Sequence, residues 1–297
     1  MDENLWLPFG TVLQERYQIE HKVGEGGFGI TYLAWDLQLS ISVAVKEYFP
    51  TMIVNRNIME PTGLAVVVHP EQEELFAEGL LQFEKEMNHL VAFGNQTGTA
   101  SVRDFFRENN TAYMIMDYVN GITLKEYCTQ HGRVELKQVL WIMKSVMDVL
   151  CGMHKRGMLH RDVSPDNIII DKDNRVKLVD FGSTRMMQAK VETEAVVIIK
   201  RGFTPIEQYT SHRQQGPWTD VYGVCATMYY MLTGHIPPDV LSRVEEDTIQ
   251  SLSEWGVENL PKRTEDAIMK GLSVMEKDRY LTVAELMKEL YPAKQTC

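Results

Sequence analysis

Four glycines, Gly24, Gly26, Gly27 and Gly29, fall within six positions of the stretch VGEGGFGITYLAWD. Glycine loses more backbone freedom on folding than any other residue, so the cluster marks a place where something must approach the main chain closely. Bare backbone N–H groups are suited to phosphate oxygens. The spacing Gly24-x-Gly26-x-x-Gly29 is by itself a weak signal, and its dinucleotide-binding form requires a helix directly after the glycines. Here ITYLAWD has the alternation of a strand, which predicts a hairpin tip lying over phosphates. A second chemical group is Lys46 in VAVKEYF, flanked by apolar residues and in need of a partner if it is buried. A third is the acidic series Asp162, Asp166, Asp171, Asp173 and Asp180, which as bare composition reads as a solvated surface.

The elements that must position these groups change character along the chain. YQIEHKVGEG, GITYLAWD and ISVAVKEYF read as strands, followed by an insertion with a hairpin over residues 47–80. PEQEELFAEGLLQFEKEMNHLVAF has helical spacing through Leu80, Phe83, Met87 and Leu90. SVRDFFREN and TAYMIMDYV follow as strands, with Asn109 and Asn110 suited to the turn between them. After residues 117–121 helices dominate: LKEYCTQHG, a long apolar helix stopping at Gly157, the helix DVYGVCATMYYMLTG, and helices to the end. IIIDKDNRVKLVDFG reads as a small hairpin. The expectation is an α+β architecture of two lobes with a cleft between them.

Bulk properties narrow the classes. A net charge of −11 is a poor match to nucleic acid, which selects a basic face. Cys128, Cys151, Cys225 and Cys297 are scattered with no CxxC pair, which argues against a zinc site and for a reducing compartment. MDENLWLPFG has no signal-peptide pattern and no apolar run is long enough to span a membrane, so a cytoplasmic location is expected, as a whole protein or as the cytoplasmic part of a longer one.

Together the Gly-rich hairpin, VAVK with Lys46, HRDVSPDN with His160, Arg161, Asp162 and Asn167, and DFG with Asp180, in this order, resemble the protein-kinase signature. The chain resembles a eukaryotic-like (Hanks-type) protein kinase domain of the bacterial Ser/Thr subgroup over residues 17–290. That resemblance implies a bilobal kinase fold. Its N-lobe, residues 1–117, is an antiparallel sheet with one main helix; residues 118–120 form a hinge, and the mostly helical C-lobe covers 121–297. It implies transfer of the γ-phosphate of Mg-ATP to Ser/Thr hydroxyls of proteins, with autophosphorylation. Gly24, Gly26, Gly27, Phe28 and Gly29 would cover the phosphates. Lys46 would hold them, paired with Glu86, because Leu90 one turn on shares that residue's face; Glu84 is the alternative. Asp162 would orient the substrate hydroxyl or accept its proton. Asn167 and Asp180 would hold magnesium through hard oxygen ligands. Adenine would lie between Ala44 and Ile169, with Met116 behind it and the backbone of Asp117 and Val119 on its edge. Glu207 and Arg279 would pair, Asp220 would cap the catalytic loop, and His160 would pack rather than react. Arg161 would receive a phosphorylated loop residue, for which Thr184, Thr193 and Thr204 are the candidates and Thr193 is favoured.

The sequence departs from that pattern at two linked places. Ser164 stands two residues after Asp162, where many Ser/Thr kinases have lysine, and Lys200 stands where many have threonine. A positive charge near the γ-phosphate is thereby missing, and Lys200 or Arg201 is the expected substitute by charge position alone. Ser164 is also what favours a catalytically dead nucleotide-binding module. A kinase of small hydroxylated molecules shares the HxDxxxxN spacing, against which the intact Gly-rich loop and the Glu207–Arg279 pair count.

Overall fold

The computed structural model of the chain describes residues 5–26, 29–56, 63–93, 98–181, 185–187, 199–210 and 213–292. The chain divides into two compact units, Met1–Gln96 with Ala100–Val119, and Thr97–Thr99 with Asn120–Cys297.

The first unit runs β1 (Val12–Leu13), β2 (Tyr17–Gly26), β3 (Gly29–Asp36), β4 (Ile41–Tyr48), β5 (Val54–Arg56), β6 (Val66–Val68), α1 (Glu73–Phe93), β7 (Val102–Glu108) and β8 (Thr111–Asp117). Six of these strands form one antiparallel sheet in the order β1-β2-β3-β4-β8-β7. β7 and β8 are joined as expected by Asn109 and Asn110, both in the left-handed region (φ 52° and 58°) that a two-residue primed turn demands. α1 lays Phe76 and Phe83 against Tyr48 of β4, with ring centroids 5.2 and 5.7 Å apart. The expected insertion is narrower than residues 47–80. Its first residues complete β4 and its last belong to α1, leaving the β5–β6 hairpin as the added piece.

That hairpin is anchored by a buried charge that sequence reading did not single out. Glu47, next to Lys46 on β4, is fully buried. Its carboxylate accepts from Tyr32 Oη (2.8 Å), from Tyr113 Oη (2.7 Å) and from Arg56 Nη2 on β5. Arg56 also donates to the carbonyls of Leu64 (2.8 Å) and Leu5 (2.9 Å). A buried carboxylate is tolerated only when its lone pairs are matched in this way. Tyr113→Phe, which removes one donor without changing shape, is therefore expected to cost about 1–3 kcal/mol of stability, read as a lower urea midpoint.

The second unit comprises β9 (Gly121–Thr123), α2 (Leu124–His131), α3 (Leu136–Lys155), β10 (Met158–Leu159), β11 (Ile168–Asp171), β12 (Val176–Leu178), β13 (Arg185–Met186), α4 (Pro217–Thr233), α5 (Val240–Glu245), α6 (Lys262–Gly271) and α7 (Val283–Leu290). α3 buries Val139, Ile142, Met143, Val146, Met147, Leu150 and Met153, one stripe at helical period. It ends before Gly157, whose φ of +75° suits glycine at a helix stop. α4 is buried on nearly every face and is the centre of this unit's core. The β11–β12 hairpin, expected as a pair, gains β9 as a third strand. Among the described residues no helix is long and apolar enough to cross a membrane.

Candidate active site

The segment from His160 to Asn167 is shaped from beneath by α4. Asp220, in the first turn of that helix, accepts from the backbone N–H groups of His160 (3.0 Å) and Arg161 (2.7 Å) and from His154 Nε2 (2.7 Å). Burial alone would raise the Asp220 carboxyl; the His154 hydrogen bond and the nearby imidazoles outweigh it, so the group stays below the usual carboxylate range. Arg161 sits in the left-handed region (φ 70°), a conformation costing a non-glycine residue about 1–2 kcal/mol. Asp220 on its N–H and Gln208 Nε2 on its carbonyl (3.1 Å) hold it there. Close approach of α4 also depends on Gly223: a Cβ at that position would stand 2.8 Å from the Val163 carbonyl oxygen.

On this support the side chains converge. The Asp162 N–H donates to His160 Nδ1 (3.3 Å), so that nitrogen carries no proton. Burial lowers the basicity of the His160 ring, against the pull of the Asp220, Asp162 and Asp180 carboxylates. The ring meets Phe181 edge-on at 5.2 Å, which is a packing role. Asn167 Nδ2 donates to the Asp162 carbonyl (2.8 Å), which leaves Oδ1 as the end available to a hard cation. The Asn167 carbonyl in turn accepts from Val179 N–H (2.8 Å), extending the Ile168↔Leu178 register and setting Asp180 beside it. Asp180 is itself left-handed (φ 58°), turning the chain at this point.

Lys200 reaches into the same group. Its Nζ lies 3.0 Å from Asp162 Oδ2 and 3.0 Å from Ser164 Oγ. Thr204 Oγ1 accepts from the Lys200 N–H (2.8 Å), and Thr204 is buried. Thr204, expected as a modification candidate, is thus a brace with its hydroxyl engaged and shielded. Arg201 turns elsewhere, lining a hollow with Ile199, Tyr209, Asp239 and Leu241. Farther out, Arg279 Nη1 donates to Glu207 Oε1 (2.8 Å) with both side chains fully buried.

In the first unit Lys46 is buried on β4, opposite Thr31 of β3 and Met114 of β8. Glu84 forks with Arg107 (2.5 and 2.8 Å) and is committed to that pair. Glu86 lies on α1, its side chain outside the described residues. Ala44 is half-buried and Met116 buried, and the two are register partners in the sheet. The Asp117 N–H is spent on the Ser101 carbonyl (2.9 Å); Val119 is half-buried beyond β8. In the second unit Ile169 is half-buried on β11. Gly24 and Gly26 have open space where a Cβ would be, whereas a Cβ on Gly29 would stand 2.1 Å from the Glu47 carbonyl oxygen. Gly27, Phe28, Thr184 and Thr193 lie outside the described residues.

The chain has known counterparts. The protein kinase domain family matches residues 17–291, and the chain belongs to that family. It is 28% identical to serine/threonine-protein kinase F of Synechocystis sp., over 95% of this chain and 56% of that protein. It is 25% identical to serine/threonine-protein kinase PrkC of Bacillus subtilis, over 96% of this chain and 41% of that protein. The chain thus spans between about two fifths and just over half the length of curated relatives it matches. A solved structure, "PpkA-294 apo form", superposes with a TM-score of 0.81 at 32% identity, covering 96% of this chain and 99% of that one.

Proposed function

We propose that the chain transfers the γ-phosphoryl group of ATP to serine or threonine hydroxyls of protein substrates, in the cytoplasm, where ATP is at hand. The observation that carries this reading is the cluster on the second unit. Asp162 has a partly exposed carboxylate, its carbonyl engages the nitrogen of the Asn167 amide and not Oδ1, and Asp180 follows one residue after Asn167's backbone partner. Asn167 and Asp180 supply the hard oxygens that magnesium takes, and the ion would offset charge on the phosphate oxygens. Asp162 receives the substrate hydroxyl's proton, and Lys46 carries fixed positive charge for the other phosphates. The Ser/Thr preference is supported by relatives named as serine/threonine-protein kinases.

The test is transfer of label from γ-labelled ATP to a generic protein substrate and to the chain itself. Incorporation on serine and threonine is expected with magnesium, falling to background when the metal is chelated. Nucleotide binding without transfer, or transfer only to small hydroxylated molecules, defeats the proposal.

A further inference from the structure

Resting on that reading, we propose that Lys200 is the cation that grips the transferring phosphoryl group, delivered by the segment before Thr204 instead of by the catalytic loop, with Ser164 as its tether. The exchange is visible in the side chains. Position 164, two residues past Asp162, holds a short neutral hydroxyl, and that hydroxyl accepts from Lys200 Nζ at 3.0 Å. The same ammonium lies 3.0 Å from Asp162 Oδ2. Lys125 on α2 is spent on Asp166 (2.9 Å). An ammonium carries three N–H donors; among the described residues Asp162 and Ser164 take two, and we assign the third to an incoming oxygen.

Lys200 is placed as a fixed group should be. Its main-chain N–H is held by the buried Thr204 hydroxyl (2.8 Å), so the root of the side chain is anchored as well as its tip. The side chain is 27% exposed and Asp162 10% exposed, so the pair is partly withdrawn from water yet open to a ligand. Charge held this way acts more strongly than in bulk solvent and needs no reorganisation during reaction.

The chemical step gives the cation a second partner. The substrate hydroxyl oxygen forms a bond to the γ-phosphorus as the bond from that phosphorus to the β–γ bridging oxygen breaks. The bridging oxygen departs on ADP with the electron pair, and the hydroxyl proton passes to the Asp162 carboxylate. As Asp162 is neutralised its hold on Lys200 weakens, and the ammonium pairs instead with the phosphoryl oxygens. The lysine thus balances the base before the transfer and the phosphoryl group during it.

The experiment compares wild type, Lys200→Thr, Lys200→Arg and the exchange Ser164→Lys/Lys200→Thr for kcat, nucleotide affinity and melting temperature. Lys200→Thr is expected to lower kcat about 100-fold with nucleotide affinity and melting unchanged. Lys200→Arg keeps the charge and retains most of kcat. The double exchange returns a lysine from the other element and recovers kcat to within about tenfold of wild type. A fully active Lys200→Thr overturns the assignment, as does a double exchange no better than the single variant. So does an arginine variant as impaired as the threonine one. A wild-type chain that transfers no phosphate defeats the proposed function itself, an outcome distinct from all of these.

Discussion

Asp162→Asn is expected to lower kcat for phosphoryl transfer by about 10²–10⁴-fold, the range of a lost general base, with nucleotide affinity and melting nearly unchanged. The substitution keeps the shape and the backbone carbonyl that positions Asn167, so the amide proposed to hold the cation stays where it is. What disappears is the charge that holds Lys200 at 3.0 Å and that, on the proposed function, takes the hydroxyl proton. The loss should therefore appear in kcat and not in KM for ATP. An asparagine variant with wild-type turnover would remove Asp162 from the chemistry and leave it a tether for Lys200.

The second large effect is on folding. Arg279→Ala is expected to cost about 3–5 kcal/mol, because it leaves the fully buried Glu207 carboxylate without its ion-pair partner. The guanidinium also donates to the carbonyls of Ser273 (2.7 Å) and Val274 (2.7 Å) and lies over the Tyr222 ring. Glu207 keeps a donor from Thr219 Oγ1 (2.9 Å), which cannot replace a positive charge. For a chain of this size such a loss lowers the melting temperature by on the order of 10 °C. The double replacement Glu207→Gln/Arg279→Met should cost less than the two single changes summed, since neither charge is then left alone. Strict additivity in urea unfolding would show that the pair is not energetically coupled.

Much of this was legible in the sequence, for identifiable reasons. Strands with clean alternation and turn residues at their ends, such as β7–Asn109–Asn110–β8, declare themselves because local chemistry and tertiary need agree. The groups proposed for catalysis are named from their spacing in HRDVSPDN and DFG, where the chemistry asks for particular residue types. The Glu47–Arg56–Tyr32–Tyr113 cluster was not found, because its members come from four separate strands or turns and no periodicity links them. The same holds for His154 beneath Asp220, two helices joined only in space. A missing charge in the sequence points to Lys200 or Arg201 alike, and only the fold separates the two. Neighbours in sequence, they point to different surroundings.

Gly29 separates two pressures that a glycine motif merges. Its missing side chain makes room for the carbonyl of a neighbouring strand, a demand that exists whether or not any ligand ever arrives. Gly24 and Gly26 answer to no such demand among the described residues. A descendant that abandoned nucleotides would be released to fill positions 24 and 26 while position 29 stayed bare, so a lone surviving third glycine records ancestry in the sheet and says nothing about present binding.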